Sequence, residues 1–105
     1  MRLLLDECID RRFARVLKGH FVRTVPQMGW ATIKNGGLLV LAEKEFDVFI
    51  TVDRNLSFQQ HLPKFEIGVA VLKARSNRFE ELKPLATPLL AALSGLCAGK
   101  VVVIG

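Results

Sequence analysis

Two cysteines and two histidines in 105 residues leave little material for a thiolate or imidazole metal centre, and neither pair has ligand spacing. Cys8 and Cys97 form no CxxC motif and belong to a chain able to bury a core without staples, so both are expected as reduced thiols. His20 and His61 are expected in loops or at the surface. No apolar run approaches the roughly 18 residues that span a bilayer, and the run Met1-Arg2-Leu3-Leu4-Leu5 meets Asp6 too soon to act as a signal peptide. The expectation is a cytoplasmic protein with no membrane partner. A Walker loop, a GxGxxG turn and a GxSxG elbow are all missing, which argues against P-loop nucleotide hydrolases, dinucleotide enzymes and serine hydrolases.

What is present is a core's worth of apolar residues, 50% of the chain, and an excess of base over acid of 15 to 10, for a net charge of +5. That size and composition predict one domain spanning residues 1–105. The charge is a modest bias toward polyanionic partners and says nothing of fold.

Strand and helix patterns alternate along the chain. Arg2–Leu5 is a short apolar strand ending in Asp6. Ile9, Phe13, Val16 and Leu17 then recur at helical spacing up to Gly19, a natural stop. Phe21 to Val25 predicts a second strand closed by Pro26. A turn through Lys34-Asn35-Gly36-Gly37 leads into a helix carrying Leu38, Leu39, Leu41, Ala42 and Phe46. Val48 to Val52 is so uniformly apolar and β-branched that it predicts a strand buried on both faces, again ending in an acid, Asp53. A short polar helix or loop is expected from Arg54 to Pro63, then a buried strand over Ile67 to Leu72.

Phe79, Leu82, Ala86, Leu89, Leu90 and Leu93 mark a long amphipathic helix, which Pro84 and Pro88 should kink or restart with Thr87 as its cap. Val101 to Ile104 predicts a last strand at a sheet edge, because consecutive β-branched residues lose rotamer freedom in a helix. Such alternation gives right-handed βαβ units, a mostly parallel sheet of about five strands covered on both faces, and a crevice at the carboxyl ends of the strands.

Asp6 and Asp53 each follow a buried strand. In a parallel sheet both project from one edge, one or two strand spacings of about 4.8 Å apart. Like charges that close are tolerated when one is protonated or a cation lies between them, and hard carboxylate oxygens suit Mg²⁺ or Mn²⁺. Glu7 stands ready to join directly or through water. The plainer alternative is that each aspartate only caps the helix after it, which explains either acid but not both at one edge. Arg11, Arg12, Arg15 and Lys18 follow Asp6, while Arg54, Lys73, Arg75 and Arg78 follow later strands. Near the acidic edge such residues would hold phosphates, as phosphodiester cleavage requires; elsewhere they are solvated surface charge.

Leu4-Leu5-Asp6-Glu7 and Thr51-Val52-Asp53-Arg54-Asn55-Leu56 resemble segments of the PIN-like superfamily, particularly its short, poorly characterised members. The likeness extends to Gly29-Trp30, Lys34-Asn35-Gly36 and Arg75-Ser76-Asn77-Arg78. The resemblance implies a PIN-like, Rossmann-like three-layer α/β/α sandwich in which clustered acids bind Mg²⁺ or Mn²⁺ and hydrolyse RNA. It further implies a toxin of a toxin–antitoxin pair, with an antitoxin protein as partner, and a homodimer. Asp6 and Asp53 match its metal-binding aspartates. Relatives often place an acid where this chain has Asn35, Gly37 or Asn55, so fewer carboxylates hold the cation here.

These readings converge on a metal-dependent ribonuclease. Asp6 and Asp53 hold the metal, Glu7 or Asn55 completes its shell or positions water, and Arg54, Arg11, Arg12 and Arg78 are the phosphate-binding candidates. An alternative of another class is a catalytically degenerate module that keeps the fold and binds RNA or a protein partner. A phosphoacceptor receiver domain also has acids after the first and third strands, but a lysine is missing at the carboxyl end of the last strand.

Overall fold

Five short apolar runs build the sheet. β1 (Arg2–Leu5), β2 (Phe21–Thr24), β3 (Val48–Thr51), β4 (Gly68–Leu72) and β5 (Val101–Ile104) lie in the order β2-β1-β3-β4-β5, and every neighbouring pair is parallel. The computed structural model describes residues 1–33, 35–52 and 63–105. Asp53, Arg54, Asn55, His61 and the polar stretch that was expected to be a short helix or loop therefore lie outside the described residues.

Period-two alternation divides the strand side chains between two cores. Leu3, Leu5, Val48, Ile50, Ala70, Leu72 and Ile104 enter the first, Leu4, Phe49, Val69 and Val71 the second. All residues of β3 and β4 are buried, as their uniform apolarity predicts, and β5 lies at an edge. Phe49 is 1% exposed, so truncation to alanine should cost about 3–5 kcal/mol.

Helices cover both faces. On the first, Phe13 is buried beneath a 3-10 helix, Arg11–Val16, which lies beside α2 (Phe79–Leu82) and α3 (Ala86–Leu93). On the second, Leu38, Leu39 and Ala42 of α1 (Asn35–Ala42) pack over Leu4 and Phe49.

The structure corrects several local expectations. The segment after Asp10 is a six-residue 3-10 helix, too brief for its Phe13–Leu17 spacing to distinguish it from an α-helix; it ends at Val16 with Leu17 as its C-cap, and Gly19, at φ 88°, lies in the turn beyond. Gly36 and Gly37 lie inside α1 and not in a turn before it. Each costs about 1 kcal/mol relative to alanine, which the burial of Leu38, Leu39 and Ala42 offsets. The long helix is broken as its prolines foretold, with a 3-10 turn at Lys83–Leu85, but α3 starts at Ala86 after Leu85 and no side chain caps it. Thr87 is therefore a residue of the first turn and not its cap.

The crossovers also differ from expectation. β1 to β2 and β4 to β5 both cross on the first face, yet they move across the sheet in opposite directions, so they have opposite hands. β2 to β3 crosses on the second face toward β5 and shares the hand of β1 to β2. The departure is β4 to β5, against the usual uniformity of such units. The end of this connection packs closely on the sheet at Gly68, where a Cβ would come within 2.9 Å of the Leu96 side chain.

Candidate functional site

Sheet order fixes where the site lies. From β1 the chain first moves outward to β2 and then returns past β1 to β3, so the connection direction reverses between β1 and β3, where open α/β sheets form their crevice. Asp6 stands at the carboxyl end of β1 at that point. Its backbone N–H donates to the Ile50 carbonyl at 2.9 Å, which joins the acid to β3 through the last rung of the ladder.

The Asp6 carboxylate is half-buried and oriented on both oxygens. Thr51, itself 1% exposed at the end of β3, donates its hydroxyl to Oδ2 at 2.7 Å, and the Glu7 N–H donates to Oδ1 at 2.8 Å. The Cys8 thiol bonds the same carboxylate, and the roughly four lone-pair sites of a carboxylate still leave room for a further ligand. Among the described residues no cation pairs with Asp6; the ion pair found there joins Arg12 to Asp10.

Asp6 shares a pocket of about 350 Å³ with Glu7, Cys8 and Val52, walled by Val25, Ala31, Ile33 and Leu38. Glu7 is exposed and stands where three grooves meet: this one, one beside Arg11 and Gln27, and one running toward Asn77 and Arg78. Burial, and then the Asp6 carboxylate, push the Cys8 thiol up, while the Thr51 hydroxyl and the Val52 backbone pull the other way. Cys8 is thereby kept as a neutral thiol beside the acid.

The chain thus brings together Asp6, Glu7 and the basic residues Arg11 and Arg78 around one edge. Arg12 is drawn aside: its guanidinium makes a two-pronged pair with Asp10, at 2.8 Å and 3.2 Å to Oδ2. Asp10 is also the cap of the 3-10 helix, accepting from the Arg12 N–H at 2.9 Å. The Arg12 bonds hold its carboxyl down at about 2. Asp53, Arg54 and Asn55 are outside the described residues, although Val52, just before them, lines the Asp6 pocket.

Thr51 is the residue that sequence reasoning left without a role. It belongs to the Thr51-Val52-Asp53 segment, but its partner becomes visible only once β1 and β3 are known to be neighbours.

Among the described residues no three His, Cys, Asp or Glu side chains converge as a metal site. The donor chemistry nevertheless suits a hard divalent ion, since Asp6 offers two preoriented carboxylate oxygens with spare lone pairs and Thr51 supplies the outer hydrogen bond that such ligands commonly have. No family model, curated protein or solved structure matches this chain.

Proposed function

We propose that this protein is a metal-dependent ribonuclease of PIN-like type that acts as the toxin of a toxin–antitoxin pair. The supporting observation is the Asp6 carboxylate at the sheet's switch point, oriented by Thr51 and left without a cationic partner among the described residues. An oriented carboxylate with lone pairs to spare at this point of the sheet suits a hard cation.

Asp6 and Asp53 would hold Mg²⁺ or Mn²⁺, with Glu7 or Asn55 completing the shell. When bound, the ion supplies a lowered water pKa and charge stabilisation at the departing oxygen. Thr51 fixes the Asp6 rotamer. Arg11 and Arg78, on the two grooves that meet at Glu7, would hold phosphates on either side of the scissile bond.

The test is cleavage of single-stranded RNA by purified protein. Activity should require added Mg²⁺ or Mn²⁺ and disappear in both Asp6→Asn and Asp53→Asn. Cleavage that persists in chelator, or in both variants, rules out the mechanism.

A second reading, a PIN-like module that binds RNA or a protein partner without cutting, is favoured by Asn35, Gly37 and Asn55, uncharged where PIN-like proteins often carry an acid. Protein that binds RNA yet stays inert under every metal condition would support it. The strand order is also that of phosphoacceptor receivers, and labelling of Asp53 by an acyl-phosphate donor would favour that reading instead.

A further inference from the structure

The groove leading from Glu7 to α2 has a volume of about 680 Å³ and a charge opposite to the protein's own. Glu7, Asp10, Glu80 and Glu81 line it, against Arg12 and Arg78. With Arg12 already paired to Asp10, Arg78 is the lining cation left for a phosphate, and the surface around Arg12 has no positive charge to spare for one. A neutral, planar, hydrogen-bonding ligand is a better match.

Arg12 supplies the plane. Its guanidinium lies over the Phe79 ring, 4.8 Å from the centroid, and the Asp10 carboxylate grips its edge through Nε and the terminal nitrogen. Edge and one face are thus occupied. The side chain is still 51% exposed, which leaves the opposite face open. A clamped guanidinium of this kind is a stacking surface for a nucleobase.

Polar groups for the base edge stand around it. Asn77 donates its amide NH₂ to the Cys8 carbonyl at 2.9 Å, which fixes the side chain and leaves its amide oxygen free to accept. Glu80 and Glu81 can accept from an exocyclic amine. The same contact ties the groove to the turn that carries Asp6.

We propose that the Asp10–Arg12–Phe79 stack is a platform for one unpaired base of a single-stranded RNA whose backbone passes Asp6. This deepens the ribonuclease reading by giving the substrate a base contact next to the scissile site. It moves Arg12 from holding phosphate to stacking, and leaves Arg11 and Arg78 to hold the backbone.

Binding measured in chelator separates the platform from catalysis. A fluorescein-labelled adenine RNA octamer and the same strand without bases present identical phosphates. Wild-type protein should bind the octamer about tenfold more tightly than the abasic strand, a modest stacking contribution. Arg12→Lys, which keeps the charge but loses the plane, should bring that ratio close to one, and Phe79→Leu should reduce it. An unaltered circular dichroism spectrum would show that the variants fold. Equal affinity for the two strands, an Arg12→Lys ratio equal to wild type, or no binding to either strand would overturn the platform. A base-dependent ratio in a protein that never cleaves RNA would leave the platform standing and remove the nuclease.

Discussion

Asp6 and Asp10 are four residues apart on one turn, and the chain treats them in opposite ways. Asp10, at the mouth of the α2 groove, spends its charge locally: it caps the 3-10 helix, binds Arg12 and falls to about 2. Asp6, at the β1–β3 switch point, is half-buried and held by a neutral hydroxyl and an amide. The first acid is a finished structural unit. The second is oriented with lone pairs to spare, the disposition in which a carboxylate takes a hard cation.

The largest contrast should come from neutralising each acid in turn. Asp6→Asn should lower metal-dependent RNA cleavage more than about 100-fold, beyond the usual cost of losing an outer-shell partner. Asp10→Asn should cost no more than the roughly tenfold that the base contact on Arg12 supplies. Comparable losses in initial-rate assays would show that both acids serve one site.

Next in size is the Thr51 hydroxyl. Thr51→Val keeps the shape and the strand preference but removes the donor to Asp6, so manganese affinity in calorimetric titrations should fall about 10- to 100-fold, and Thr51→Ser should restore most of it. Unchanged affinity in the valine variant would mean that the hydroxyl does not orient the ligand.

Neither residue was equally legible beforehand. Asp6 could be read from sequence because a buried apolar run ending in an acid is a local pattern, and the same locality exposed all the strands. Thr51 could not, since its role depends on β3 lying beside β1, a pairing of residues 45 apart. Arg12 was legible as a base near the site, but its capture by Asp10 and Phe79 requires α2 to share a face with the 3-10 helix. That in turn rests on the unusual hand of the last crossover, which no periodicity encodes. The glycines of α1 misled for a different reason: local propensity predicts a turn, and sheet packing outweighs it.

The smallest effect concerns acid stability. Asp10 is depressed from its ordinary 3.8 to about 2 in the folded chain, chiefly by the Arg12 hydrogen bonds. Its contribution is therefore complete above pH 3.8 and is lost as pH falls from there through about 2. Solvent exposure keeps it small. Melting curves of wild type and Asp10→Asn should differ at pH 5 and converge toward pH 2; a gap that widens on acidification would reverse the sign of the argument.

Manganese-dependent thermal stabilisation of the wild-type protein, Asp10→Asn and Asp6→Asn is the most direct measurement of whether Asp6 holds a cation. With metal at about 100 times its Kd, binding to the folded state alone adds about 2.7 kcal/mol, or roughly 10 °C or more in Tm for a chain of this size. Wild type and Asp10→Asn should both show that gain, and Asp6→Asn should melt at the same temperature with and without metal. An equal gain in Asp6→Asn, or none in wild type, would contradict the assignment of Asp6 as the cation-holding acid.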